Sequence, residues 1–172
     1  CATTHLWAHD SDGPSDFSAQ YRAARRLEVD RDNPATIQKK LQSFVQLLPI
    51  APTPDVECEL RLRIVAALTM LGDPESINQA MDVLHSGFPS SAATDPATHA
   101  AYVRRYVALA LSTRSRSQKL DDAIQLLGKL ASTSQSPASR IMFHVLAAQH
   151  HEQNGDVDNA ADELLKGMTI GT

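Results

Sequence analysis

Apolar residues along this chain recur at intervals of three and four, and the stretches that carry this period are separated by proline, glycine and aspartate. Phe17, Tyr21, Ala24 and Leu27 form the first such stripe and predict a helix over 15–29, with Ser15 as its cap. The turn Asp30-Arg31-Asp32-Asn33-Pro34 follows, with Asn33 placed to cap and Pro34 at the first position of a second helix. That helix is expected to bury Ile37, Leu41, Phe44, Val45 and Leu48, and to end at Pro49. After the proline-rich link Ile50–Pro54, a third helix runs to Leu71 on Val56, Leu60, Ile64, Leu68 and Leu71, widened by Val65. Gly72 supplies the stop, because glycine adopts φ > 0 at little cost. Asp73-Pro74 opens a fourth helix with Ile77, Met81 and Leu84 inward, and Gly87 ends it.

The second half repeats this grammar. Asp95-Pro96 opens a fifth helix with Ala100, Val103, Val107 and Leu111 on its stripe, and a polar turn at 112–117 leads to a sixth over 118–130. Leu120, Ala123, Ile124, Leu127 and Leu130 are its inner residues. A seventh and an eighth flank the turn Asn154-Gly155-Asp156. The helices fall into pairs over 15–48, 55–86, 96–131 and 138–168. Their second members share a pattern: Ile37, Leu41, Phe44; Ile77, Met81, Leu84; Ala123, Leu127, Leu130; and Ala160, Leu164, Gly167. Successive registers stand 40, 46 and 37 residues apart.

The last pair resembles a tetratricopeptide repeat (TPR), a helix-turn-helix unit of about 34 residues. Gly155 matches the turn glycine, Ala148 and Ala160 the small residues where the two helices touch, and Leu164 the aliphatic position of the second helix. The chain departs from the pattern at His151, where the family has an aromatic, and at Gly167, where it has alanine. The resemblance implies an all-α fold, a TPR-like α-solenoid of about four antiparallel helix pairs over 15–172. An irregular helical bundle or another α-solenoid are the other arrangements that the same amphipathic pattern allows. As the outer helix of a terminal unit, the last helix should be partly polar, and Asp158, Asp162, Glu163 and Lys166 fit that.

Composition agrees with helices. Of the 172 residues, 42% are hydrophobic and only 5% aromatic, whereas strands draw on aromatic and β-branched side chains. A net charge of −4 and a pI near 5.9 argue against a protein that coats nucleic acid. The apolar run Ile64–Leu71 is far shorter than the ~20 residues that span a bilayer.

Two cysteines give neither a disulfide framework nor a zinc spacing. Cys58 stands in register with Leu62 and Val65 and is expected in the core. Cys1, followed by Ala2-Thr3-Thr4, resembles the start of a mature bacterial lipoprotein. That resemblance implies that Cys1 carries lipid and that the protein sits on the periplasmic face of the outer membrane, since Ala2 is compatible with outer-membrane sorting. Residues 1–14 then form a polar tether, broken by Asp10-Ser11-Asp12-Gly13-Pro14. Trp7 suits either a membrane interface or a fold-back onto the first helix. His5 and His9 are four apart, a spacing with little force for a metal in a flexible segment.

No constellation of catalytic residues stands out, and the expectation is a protein that is not an enzyme, with no cofactor, no metal and no small-molecule substrate. The neighbours His150 and His151 point ~100° apart on a helix and do not chelate one ion easily. His144 and His151 share an inward face, as packing residues. The run Asp156–Glu163 lacks the sixth-position glycine and twelfth-position glutamate of a calcium loop. Arg25-Arg26, Lys39-Lys40 and Arg104-Arg105 are scattered, as on solvated helix faces.

Together the two resemblances imply an envelope scaffold that assists the assembly or localisation of a secretion or pilus complex, in the manner of a pilotin acting on a secretin. The partner segment would lie in a concave groove lined by first helices. The TPR register places Glu59, Leu62, Ala66 and Met70 there from the second pair, and Met142, Val145, Gln149 and Gln153 from the last. Two other readings stand beside this one: a soluble, cytoplasmic TPR chaperone or adaptor in which Cys1 only marks where the chain starts, and a self-associating structural protein.

Overall fold

The computed structural model describes residues 14–87, 95–114, 118–133 and 136–170. Cys1, His5, Trp7, His9 and the expected tether lie outside the described residues, as do most of the loop 88–95 and the side chain of Ser15. Among the described residues the chain is all-helical. Its elements are α1 (Pro14–Arg26), α2 (Pro34–Leu47), a 3-10 turn (Leu48–Ile50), α3 (Pro54–Leu71), α4 (Pro74–Ser86), α5 (Pro96–Ser112), α6 (Gln118–Thr133), α7 (Pro137–Gln153) and α8 (Val157–Thr169).

One device starts most of these helices. Asn33, Thr53, Asp73, Asp95 and Ser136 each hold an extended backbone and accept a hydrogen bond from an amide of the first turn, with a proline at the first helical position. The side chain satisfies an amide that the helix cannot, and proline contributes a pre-set φ where no amide is needed. Asp156 caps α8 through its side chain, which accepts from the Asn159 amide, without the extended backbone or the proline. The stops are equally local. Gly72 and Gly155 take φ of 75° and 79° and turn the chain back at the end of α3 and α7.

Each odd helix packs on the even helix that follows it, and consecutive pairs are joined by α2 on α3, α4 on α5 and α6 on α7. The odd helices also meet, α3 with α5 and α5 with α7. Their direction follows from the bonds between them. The Asp95 amide donates to Asp55 Oδ1 (3.0 Å) at the start of α3 and α5, and Arg105 Nη2 donates to Thr69 Oγ1 (2.8 Å) near their ends, so the two run parallel. Gln153 Nε2 donates to the Leu111 carbonyl (2.8 Å), aligning the ends of α5 and α7 in the same sense. Even helices run against them: His150 at the end of α7 lies 3.1 Å from Asp121 at the start of α6.

The core begins at Ala24 of α1, runs through α2 to α6 and reaches Leu146 of α7. Cys58 is buried in it as expected. Some expectations change. α1 stops at Arg26 rather than at residue 29, and Lys40 Nζ donates to the carbonyls of Arg25 and Leu27 at its end. Val45 is 48% exposed while Leu47 is 2% exposed. The buried direction of α2 is set by Ile37, Phe44 and Leu47, and Val45 stands ~100° away from Phe44. On α5 the largest buried side chains are Tyr102 and Tyr106, which the aliphatic stripe passed over. Tyr102 donates its hydroxyl to the Leu84 carbonyl (2.8 Å) and so ties α5 to the end of α4. Burial raises its pKa, which keeps the phenol a donor.

Candidate binding face

The side of the molecule away from the even helices carries part of the set that the repeat register singled out. On α3 the stripe is Glu59, Arg63, Ala66 and Met70, at spacings of four, three and four. On α5 it is Ala97, Ala101, Arg104 and Ala108, and on α7 it is Ala138, Met142 and Gln149. Met70, Arg104, Met142 and Gln149 are exposed. Apolar, cationic and amide groups thus stand on three parallel helices.

The α1–α3 end of this face is built around Arg63. Its guanidinium donates to Tyr21 Oη (2.8 Å) and to Glu59 Oε1 (2.6 Å), and lies over the rings of Tyr21 and Phe44. Burial works against ionising Glu59, but hydrogen bonds with Tyr21 and Arg63 outweigh it and hold its carboxyl below the ordinary range. Burial and the bond to Glu59 raise the Tyr21 phenol. Glu59 is therefore engaged within the protein, and this end is a rigid polar patch.

Between α5 and α7 the face opens into a crevice of ≈ 420 Å³. Small residues make it: Ala97, Ala100 and Ala101 leave α5 thin where Ser139 and Phe143 of α7 pass it. Leu127, Leu130 and Ala131 of α6 form an apolar wall, and Arg104 supplies a cation. Phe143 sits within 3.0 Å of where a Cβ on Gly128 would be, so α6 and α7 approach closely beside the opening. The crevice is large enough for one or two side chains of a peptide.

Of the eight predicted groove residues, four are exposed on the surface: Ala66, Met70, Met142 and Gln149. Val145 is half-buried and turns toward Leu164 and Met168 of α8. Leu62 is packed against the core and Gln153 spans the α5–α7 seam, so both act in helix packing. Leu62 stands ~40–60° around α3 from Ala66 and Glu59, and Gln153 ~40° around α7 from Gln149, so only the packing of the neighbouring helices shows that both are engaged. Of the crevice residues of α5, Ala97 and Ala101 went unremarked in the sequence, Ala100 was assigned to the buried stripe and Arg104 to a solvated face. Their signal is the cluster Ala97, Ala100, Ala101 on a helix otherwise rich in bulky side chains.

The histidines of α7 have neighbours. His144 Nδ1 lies 2.8 Å from Glu163 Oε2 and His151 Nδ1 3.5 Å from Asp156 Oδ2, both toward α8. Among the described residues no cluster of three or more His, Cys, Asp or Glu could hold a metal ion, and no helix is long and apolar enough to cross a membrane. In comparisons with protein-family models, curated proteins and solved structures, nothing matches this chain.

Proposed function

We propose that this chain is a helical-repeat scaffold of the bacterial envelope that binds a segment of a protein partner and does no chemistry on it. Four helix pairs stack as a short TPR-like α-solenoid, and the parallel odd helices form its concave side. Lipid on Cys1 holds the protein at the periplasmic face of the outer membrane, where it assists the assembly or localisation of a secretion or pilus complex, as pilotins do for secretins.

The observation that carries this reading is the open crevice between α5 and α7, lined by Ala101, Arg104, Leu130 and Phe143, with Met142 and Gln149 exposed on α7. A partner helix or extended segment would place an apolar side chain between α5 and α7 and a carboxylate near Arg104. Methionine suits such a surface because its flexible thioether adapts to different partners. Multiple acyl chains matter for the anchor, since one chain binds membranes only marginally.

Two tests address the two halves. The reading frame upstream of Cys1 is expected to encode a lipobox; an ordinary folded domain there favours the soluble adaptor reading. Capture from envelope extract is expected to yield a partner with the wild type and lose it with Met142→Ala/Gln149→Ala. Undiminished capture would remove the groove from the account.

A further inference from the structure

The crevice between α5 and α7 has an apolar wall and an uncovered cation. Arg104 is the one charged residue among those that line it. Arg104 is exposed, and among the described residues no carboxylate lies within ion-pair distance of it, whereas Arg61 and Arg63 on α3 hold Glu57 and Glu59. The imbalance extends along both helices. α5 carries Arg104 and Arg105 and no acid, and Arg105 is spent on Thr69 at 2.8 Å. α7 carries Arg140 and a single acid, Glu152, in its last turn, whereas the crevice lies along the first halves of both helices. The chain as a whole stands at −4, so its acids lie elsewhere. The form of the crevice matters as much as its charge. Its walls are helices, whose backbone groups are bonded within them, so an extended segment finds no sheet edge to receive its own amides and carbonyls. A helical segment arrives with those groups already paired.

We propose that the crevice takes an acidic amphipathic helix of the partner, with an apolar side chain inserted between α5 and α7 and a carboxylate, three or four residues away, bonded to the Arg104 guanidinium. This rests on the groove reading above and adds the secondary structure, charge and spacing of what binds there. The spacing follows from α5. Ala101 on the crevice wall and Arg104 are three residues apart, a rise of about 4.5 Å. Side chains three or four residues apart on a facing helix stand about 5–6 Å from one another. A partner helix lying along α5 with its anchor level with Ala101 therefore brings a carboxylate level with Arg104. The charge follows from complementarity. A basic helix sets like charges together, and a neutral one leaves Arg104 without a counter-charge as the crevice closes over it. The anchor is of leucine, methionine or phenylalanine size, since the crevice of ≈ 420 Å³ is walled by Leu127, Leu130 and Phe143.

Selection of displayed peptides on the full chain tests the proposal, with two libraries. One randomises an exposed face of a fixed α-helical scaffold, and the other randomises an extended segment punctuated by prolines. Clones that bind the wild type but neither Ala101→Trp nor the smaller Ala101→Leu depend on the crevice. They are expected from the helical library, with Asp or Glu three or four residues from Leu, Met or Phe. On an Arg104→Glu bait the same selection should replace the acid with Lys or Arg. A selected helix should bind Arg104→Gln about fivefold more weakly than the wild type, and its affinity should fall as salt is raised. Both Arg104 variants should keep the far-ultraviolet helix signal, because the side chain is exposed. Crevice-dependent clones from the extended library alone would overturn the proposal and leave the groove reading standing. So would helical clones that lack the acid, or that keep it on the Arg104→Glu bait. The absence of crevice-dependent clones from both libraries would remove the groove reading, and the proposal with it.

Discussion

Tyr102 offers the sharpest test of how one helix pair is fastened to the next. Its side chain is fully buried, and its hydroxyl lies 2.8 Å from the Leu84 carbonyl at the end of α4. Tyr102→Phe keeps the ring and removes the donor, leaving that carbonyl against a phenyl edge. A buried hydrogen bond contributes about 1 kcal/mol net, and an acceptor left without its donor costs about 1–3 kcal/mol. The expected loss is therefore ~1–3 kcal/mol, or a fall in Tm of roughly 2–4 °C per kcal/mol for a domain of this size. Tyr102→Ala removes the ring as well and should cost ~3–5 kcal/mol, the range for emptying an aromatic site. Urea unfolding followed by circular dichroism is the assay, with the midpoint moving and the slope unchanged. If Tyr102→Phe stays within about 0.5 kcal/mol of wild type, as surface substitutions do, the phenol does not fasten α5 to α4 and the reasoning fails.

Gly87→Ala should be destabilising by ~1–3 kcal/mol in the same assay, because its Cβ would collide with the Tyr102 hydroxyl and come within 2.8 Å of Arg61 Cδ. Gln153→Ala should lower stability by ~1 kcal/mol while leaving partner capture intact, since Gln153 bonds the Leu111 carbonyl across the α5–α7 seam. Acid should weaken the α7–α8 pair through Glu163. Burial opposes its ionisation, but Lys166 and His144 outweigh this and lower its folded pKa from 4.5. Its contribution is thus present above the unfolded value and lost as pH falls through the folded one, so Glu163→Gln should flatten the acid limb of urea midpoint against pH. Ala101→Trp should fill the crevice and abolish partner capture with little change in the unfolding midpoint.

Much of the helix grammar was legible because it is local. A cap residue followed by proline announced α2, α4 and α5, and Gly72 and Gly155 announced two stops, since each of these needs only its own few residues. The side each helix buries was less legible where three neighbours compete for it. Val45 and Leu47 are both aliphatic, and only the seat of α2 between α1 and α3 decides which one is covered. Tyr102 and Tyr106 were passed over because an aliphatic stripe is read by period, while a buried tyrosine depends on a distant carbonyl or ring nitrogen to receive its hydroxyl. The binding face was legible in part. Met70, Met142 and Gln149 came from the register, but the crevice arises from what is missing on α5, and a gap between helices has no signature in one helix alone. The apolar side of α8 was written in the sequence as Val157, Ala161, Leu164, Leu165 and Met168. Of these only Leu164 was assigned, to the repeat pattern with Ala160 and Gly167, and it is the packing of Ala160 and Gly167 that shows which side is left over.

Whether the odd-helix face holds a partner is tested most directly by a photo-crosslinking amino acid placed in the chain in living cells. Position 149 on α7 lies on that face and position 79 on α4 lies on the opposite side, and both Gln149 and Gln79 are exposed. The account predicts a discrete adduct from position 149, none from position 79, and loss of the adduct when Ala101→Trp fills the crevice. Equal labelling from both positions, or an adduct from position 79 alone, would contradict it.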